Sequence, residues 1–421
     1  MTQCPKTSFI RSLSKRASPL GSLLFIFLAT AVQGEVSVPK LVMSGSSSLN
    51  LHLFGNKERG YEGGKGKGQH LALESSKINF EADGEAEDFD YGLKITFSGE
   101  PNQTNSVSEN RLKIKNQWGT LYGGHTRGPE NKATCGGQRI MGATGGFDGK
   151  ASKTRSVATG TEIKTEMIGD TDSATKLVYY TPRYKGVQLS VSFTPNHQHS
   201  GDKALATQNV PTGSYLPYAH NTVVSNLNFN HTFENDLNLT LALTSLSGQG
   251  RPGDVDKTRV SNLRAWGMGA VAYWRGFSLG GEYTDGGKSL VNTSDFENHR
   301  ASKKYNVAAG YAFGPHRVAV GYFKAQAKGG RIKDVTKNTF ATLPAGSALG
   351  TAKSQVVSVT YDRSIVPGLQ VYGEANYFDT RTTENRLKAQ KTLSELKDKK
   401  YSKPHPNNHG HSVILGTKLS F

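Results

Sequence analysis

The sequence SVILGTKLSF, residues 412–421, decides the fold. Successive side chains of an extended strand point to opposite faces. One face of this strand is apolar: Val413, Leu415, Leu419 and Phe421. The other is small or polar: Ser412, Gly416, Lys418 and Ser420. Soluble proteins rarely end on a hydrophobic residue, because termini are usually solvated. A transmembrane barrel needs apolar side chains toward lipid and an aromatic residue at the interface. The pattern therefore predicts that Phe421 is a barrel-closing terminus.

The rest of the chain repeats this two-residue period. In one run, Leu237, Leu239, Leu241 and Leu243 point one way, and Asn238, Thr240, Ala242 and Thr244 point the other way. Such alternation indicates strands with one apolar and one polar face. A polar face that continues from strand to strand predicts a wet interior, because a barrel of about sixteen strands leaves an aqueous channel.

The strands are joined by short and long connections in strict alternation. Arg275-Gly276 and Gly314-Pro315 are among the short ones. The long ones are 55–68, 99–105, 126–172, 196–220, 247–262, 286–303, 327–353 and 380–410. Bacterial outer-membrane barrels have short periplasmic turns and long external loops. The rhythm predicts an all-β, sixteen-stranded antiparallel transmembrane β-barrel. A large secreted β-sandwich is the alternative, but sandwiches do not enforce this rhythm.

The N-terminus has the layout of a secretory signal peptide. Its basic residues, Lys6, Arg11, Lys15 and Arg16, precede a short apolar run and then small residues. This order predicts a signal peptide over 1–34, cleaved near 31–34, and a barrel domain over 35–421 in the bacterial outer membrane. A signal anchor is the alternative, but the apolar run falls short of the about 20 residues that a membrane helix needs. Loss of Cys4 leaves Cys135 alone, so no internal disulfide is expected.

Composition excludes a helical membrane protein and restricts the binding partners. The mean hydropathy is −0.51, and no long apolar segment follows the leader. The net charge of +17 becomes +13 without the leader, with 47 basic against 34 acidic residues. We expect no nucleic-acid binding, because the cations are spread over many loops rather than gathered into a patch with aromatic residues. The expected partners are outer-membrane lipid, lipopolysaccharide and small hydrophilic solutes.

Two hairpins resemble a known family. They are KLVYYTPRYKGVQLSVSFTP at 176–195 and NQWGTLYG at 116–123. Together with the C-terminus, they resemble the general-diffusion porins of Gram-negative bacteria, most closely the alphaproteobacterial type. The resemblance implies a homotrimer, a third loop folded into the lumen as a constriction, and passive diffusion of small hydrophilic solutes. A substrate-specific porin, or a barrel-anchored adhesin or surface receptor acting through its external loops, is the alternative.

Alternation also predicts the charged residues of the pore. If the apolar residues of the neighbouring strands face lipid, a basic ladder faces the lumen: Lys77, Lys94, Arg111 and Lys113. The candidates on the constriction loop are Arg127, Glu130, Arg139, Asp148, Glu162, Glu166, Asp170 and Asp172. The basic excess predicts a weak preference for anions, because fixed cations concentrate anions within about a Debye length, roughly 8 Å.

No sequence motif supports catalysis or a cofactor. We find no Ser-His-Asp order, no HExxH and no paired-carboxylate motif, so an enzyme is not expected. His405, His409 and His411 form a histidine cluster near the end of the last long connection. No cysteine or carboxylate joins them at ligand spacing, so a solvated loop is the better interpretation and no metal site is expected.

Overall fold

A computed structural model describes residues 37–56, 67–99, 107–142, 147, 167–196, 218–252, 259–294, 296–333, 343–385 and 407–421. The strands are β1 Lys40–Asn56, β2 Lys67–Glu85, β3 Asp90–Ser98, β4 Val107–Asn116, β5 Gly119–His125, β6 Thr175–Tyr180, β7 Val187–Asn196, β8 Tyr218–Thr232, β9 Asn238–Arg251, β10 Leu263–Trp274, β11 Phe277–Asp285, β12 Phe296–Glu297, β13 Ser302–Phe313, β14 His316–Lys328, β15 Arg331–Ile332, β16 Thr351–Val366, β17 Leu369–Arg381 and β18 Asn407–Ser420. A short helix α1, Pro129–Lys132, and a 3-10 turn at Gly137–Arg139 follow β5. Within these ranges no helix has the length and apolar character needed to cross a membrane.

Sixteen of these strands form one closed antiparallel barrel, which confirms the predicted fold class. Each strand pairs with the next barrel strand along the chain, and β1 also pairs with β18. The closing pair carries the C-terminus: Gly45 N donates to Phe421 O at 2.9 Å, and Phe421 N donates to Gly45 O at 3.0 Å. Closure leaves no unpaired sheet edge, which a lipid environment requires.

The outer face of the barrel is apolar, as the alternation predicts. On β9, Leu241 and Leu243 are 41% and 50% exposed, whereas Thr240 and Thr244 point inward and are buried. Exposed leucines in a row would be costly in water, but they are the surface that a bilayer requires.

The short connections include tight hairpin turns. Arg275 and Gly276 both have positive φ, at 46° and 88°, and Lys185 and Gly186 repeat the pattern at 46° and 87°. Two consecutive residues of positive φ are typical of a type I′ turn, whose twist matches that of the flanking strands. The chain reverses at these positions because glycine adopts the left-handed conformation of the second turn residue without strain.

Two long connections contain structure that the sequence pattern misses. β12 and β15 pair with each other outside the barrel, at Phe296↔Ile332 and Glu297↔Arg331. Ile332, Leu343 and Leu349 are buried together beside this pair. A strand of two residues is too short to show an alternation of apolar and polar side chains, so the sequence pattern cannot predict β12 and β15.

The last long connection is also shorter than predicted. β18 begins at Asn407, so His409 and His411 lie on its outer, exposed face rather than in a loop. Their interpretation as solvated loop residues is therefore wrong; His405 lies outside the described residues.

Candidate functional site

The described residues of the third loop, 126–142, 147 and 167–174, lie inside the barrel, and the first part follows the inner wall. Backbone atoms of the loop bond to inward side chains of successive strands. Asn228 on β8 donates to Ala133 O at 3.1 Å, and Gly137 N donates to Asn306 on β13 at 2.8 Å. Further along, Gly142 N donates to Thr360 on β16 at 3.1 Å. Between Ala133 and Gly142 the loop therefore passes from β8 to β16 while it remains attached to the wall.

The contact between this loop and the wall is dry. Its buried residues are Cys135, Ile140, Met141 and Phe147 from the loop and Ala242, Val271, Ala308, Ala319, Phe323, Ala325, Val356 and Phe378 from the wall. Phe147 stacks on Phe323 with ring centroids 6.0 Å apart. Burial raises the pKa of the Cys135 thiol to about 11, so it packs as a small neutral side chain. On this side of the barrel, the third loop rather than open lumen therefore meets the inward side chains of the strands.

Two glycines in the wall make room for the loop. A Cβ atom on Gly269 of β10 would overlap the carbonyl oxygen of Cys135. A Cβ atom on Gly321 of β14 would overlap the ring of Phe147. Overpacking of a filled contact usually costs about 1–3 kcal/mol. These positions therefore determine how close the loop lies to the wall.

Lys176 on β6 fastens the two ends of the third loop to each other. Its side chain is 2% exposed. Its Nζ donates to Thr126 O at 2.6 Å, where the loop begins, and to Asp172 O at 2.5 Å, near its end. A third bond reaches Thr171 O at 3.4 Å. A buried ammonium is tolerated only with hydrogen-bond acceptors around it, so these carbonyls and this lysine stabilise each other.

Two acidic residues, Glu130 and Asp170, lie beside Lys176. We call these three residues and their bonding partners at the two ends of the third loop the neck. Glu130 is buried, and its Oε1 accepts from Thr171 Oγ1 at 2.5 Å and from Thr171 N at 3.3 Å. Asp170 accepts from Asn131 Nδ2 at 2.9 Å and from Asp172 N at 2.8 Å. Burial, followed by the charge of Glu130, raises the pKa of Asp170 to about 6.

The opposite wall, formed by β2 to β5, carries charged side chains. Cross-strand rows set Glu81 beside Lys94 and Arg111, and Asp83 beside Gly92 and Lys113. Lys94 Nζ and Arg111 Nη2 each lie 3.9 Å from a carboxylate oxygen of Glu81. Lys113 Nζ contacts Asp83 Oδ1. The side chains expected to form a basic ladder therefore belong to a ladder of both signs.

Sequence reasoning missed acids on this wall, among them Glu81, Asp83 and Glu109. Glu81 and Asp83 have the same parity as Lys77 along β2, and Glu109 has the same parity as Arg111 along β4. Glu109 Oε1 lies 3.4 Å from Arg111 Nε and 3.1 Å from Lys132 Nζ. The same alternation that selected the cations could have found them.

A recess of about 470 Å³ opens between this wall and the beginning of the third loop. Its lining residues are Lys94, Glu109, Arg111, Thr120, Tyr122, Lys132, Tyr180 and Gln188. The Arg111 guanidinium lies 4.3 Å from the centre of the Tyr122 ring, a geometry that holds the cation by attraction to the aromatic face. Burial and the charge of Arg111 lower the pKa of Lys132.

The predicted site residues fall into three groups. Lys77 lies on β2, in one row with Ser46 and Ser98, and shares the charged wall with Lys94, Arg111 and Lys113. Arg127 and Asp172, 3.4 Å apart, lie at the neck with Glu130 and Asp170. Arg139 is exposed, and its Nη2 donates to Lys132 O at 3.2 Å. Asp148, Glu162 and Glu166 lie outside the described residues.

Comparison with known proteins identifies a family. A sequence model of the family described as Gram-negative porin matches residues 28–383. An uncharacterized protein of Rickettsia bellii is 27% identical over 286 residues, which are 59% of this chain and 57% of that protein. One from Rickettsia prowazekii is 24% identical, over 60% of this chain and 58% of its own length. The matched part thus spans less than two thirds of these relatives.

Solved structures share the fold. The outer membrane channel DcaP of Acinetobacter baumannii has a TM-score of 0.57 at 12% identity, covering 93% of this chain and 100% of that one. The anion-selective porin from Comamonas acidovorans has a TM-score of 0.55 at 13% identity, covering 92% and 100%. OmpT of Vibrio cholerae in its trimer form has a TM-score of 0.56 at 11% identity, covering 91% of this chain and 100% of that one. At these identities the likeness concerns the fold alone.

The close packing of the third loop against Gly269 generates a first prediction. Gly269→Ala should displace the loop at Cys135, lower stability by about 1–3 kcal/mol and increase protease cleavage within the loop. The matched control is Gly373→Ala, where a Cβ atom would make an ordinary 3.5 Å contact with Leu415. Urea unfolding in detergent or lipid and limited proteolysis measure both effects. Equal behaviour of the two variants would contradict the packing described above.

The raised pKa of Asp170 generates a second prediction. Because the folded-state pKa of about 6 exceeds the value of an unfolded aspartate, about 3.9, the native state binds the extra proton. Stability should therefore fall as the pH rises from about 4 to 6, by at most about 3 kcal/mol. Asp170→Asn should reduce this dependence.

The control for this experiment is Asp172→Asn, which removes a carboxylate that is 74% exposed. The midpoint of urea unfolding, followed against pH, measures the effect. If Asp170→Asn left the slope of stability against pH unchanged in that window, the buried environment assigned to Asp170 would be wrong.

Proposed function

Because the chain belongs to the Gram-negative porin family, we propose that this outer-membrane channel conducts small hydrophilic solutes and ions by passive diffusion. The observation that carries the proposal is the asymmetry of the lumen. The third loop packs on the wall from β8 to β16, and the charged wall from β2 to β5 borders an open recess. A barrel of sixteen strands is wide enough to hold water beside such a loop.

The charged wall supports the further proposal of a weak preference for anions. Among the residues that line the recess, three are cations, Lys94, Arg111 and Lys132, and one is a carboxylate, Glu109. The surplus of positive charge favours anions near the wall, whereas the interleaved acids and the water in the lumen limit the effect. Charges of both signs also orient water along the passage, which disfavours apolar solutes that would have to displace it.

The biological assembly that we propose is a homotrimer in contact with outer-membrane lipid and lipopolysaccharide. OmpT of Vibrio cholerae, which shares the fold, has a trimer form. Residues 1–34, with their basic head and short apolar run, would direct export to the periplasm and be removed near 31–34. We propose no catalytic activity.

Conductance in a planar bilayer tests the proposed channel. Purified protein should give stepwise currents of long lifetime that are proportional to voltage. No conductance above that of the empty bilayer would overturn the proposal and favour an adhesin or receptor that acts through its external loops. Block of the current by one class of solute would instead identify a substrate-specific porin.

Selectivity should respond to the charged wall. Replacing Lys94 and Arg111 with alanine removes two cations from the lumen and should shift the zero-current potential in a KCl gradient toward cations. The control Arg363→Ala removes a cation from the exposed, outward face of β16 and should leave the potential unchanged. A cation-selective wild type, or equal potentials in all three proteins, would contradict the assignment of selectivity to this wall.

A further inference from the structure

Three potential metal ligands meet on β1 and β2, in the part of the barrel near the first long connection. His52 lies on β1, and His70 and Glu74 lie on β2. His52 and His70 are direct cross-strand partners, and their rings stack with centroids 4.7 Å apart and planes 3° apart. One ligand atom from each of the three residues lies within 4.8 Å of the other two.

The buried histidine provides the observation that points to a ligand. His52 is 3% exposed. Its Nε2 is inaccessible and makes no hydrogen bond, although Glu74 Oε1 lies only 3.3 Å away. Buried polar atoms almost always have a partner. His52 Nε2 thus faces a carboxylate oxygen without a hydrogen bond of its own, and a cation placed between these two atoms would provide the missing partner.

A second layer of side chains holds Glu74 in this orientation. Asn50 Nδ2 donates to Glu74 Oε2 at 2.7 Å, which leaves Oε1 turned toward His52. The hydroxyl of Tyr372 on β17 donates to Asn50 Oδ1, so the amide is fixed with its nitrogen toward the glutamate. Such contacts orient the side chains that ligate a metal and raise the affinity of the site for the ion.

The spacing agrees with tetrahedral coordination. Two ligands about 2.0–2.1 Å from a zinc ion and separated by the tetrahedral angle are about 3.3 Å apart, which matches the distance from His52 Nε2 to Glu74 Oε1. His70 is exposed and can complete the set by rotating its side chain. Two imidazoles and one carboxylate leave a fourth position for water, as in open zinc sites.

We infer that His52, His70 and Glu74 form a binding site for a divalent transition-metal ion, with Zn²⁺ as the best fit. Imidazole nitrogen favours zinc, nickel and copper over calcium and magnesium, which prefer oxygen ligands. Because imidazole must lose its proton to coordinate a metal, affinity should fall on acidification. This site does not depend on the conductance of the barrel.

Titration calorimetry of the purified, detergent-solubilised full protein with ZnCl₂ tests the inference. His70→Ala and Glu74→Gln should each weaken zinc binding at least tenfold. The control His411→Ala removes an exposed histidine from the outer face of β18 and should leave this affinity unchanged. Because His70 is exposed and Gln has the shape of Glu, both variants should still fold, which retention of the thermal transition checks.

Cobalt provides a second measurement at the same site. Co²⁺ in place of Zn²⁺ should give the strong visible absorption of a four-coordinate ion in wild type and in His411→Ala, and lose it in His70→Ala. Excess Mg²⁺ should not displace it. Equal zinc affinity in wild type, His70→Ala and Glu74→Gln, or an unchanged cobalt spectrum in His70→Ala, would overturn the inference.

Discussion

A strand surrounded by lipid has no water to satisfy its backbone, so every N–H and C=O group must find a partner within the sheet. This constraint determines the architecture. It requires β18 to return to β1, and the paired bonds between Gly45 and Phe421 complete the ring. It also explains the alternation of side chains, because a closed sheet has one face for lipid and one for the lumen. The positions of the third loop and the charged wall both depend on this closure.

Within the ring, the third loop divides the lumen into two unlike halves. On one side, small wall residues such as Ala308 and Gly321 accept Phe147 and Ile140 in a dry contact. On the other side, rows of alternating charge border the open recess. The neck stabilises this division, since Lys176 joins Thr126 at the beginning of the loop to Asp172 near its end. The passage that we propose for solutes therefore runs along the part of the wall that the described residues of the loop leave uncovered.

Most of the barrel could be predicted from the sequence, because strand period, turn residues and connection length are local signals. Arg275-Gly276 and the closing Phe421 are examples. The interior was harder to predict, since alternation shows that a residue points inward but not what it meets there. Glu130 and Asp170 are acids of the third loop, as predicted for a constriction, but their side chains bond to Thr171 and Asn131 within the neck. Alternation along β2 is sufficient to place Glu81 and Asp83 on the inner face. The buried contact of Cys135, in contrast, depends on residues more than a hundred positions away in the sequence.

The central claim is that solutes pass along the charged wall while the third loop seals the opposite wall. Cysteine accessibility tests it most directly, in a Cys135→Ser background that removes the native thiol. We predict that Lys94→Cys reacts quickly with a charged, membrane-impermeant thiol reagent and that the reaction reduces single-channel current. Ala308→Cys, placed where the wall is 2% exposed beneath the loop, should remain unlabelled in the folded barrel. Equally fast labelling at Ala308→Cys, or no effect on current at Lys94→Cys, would contradict the account.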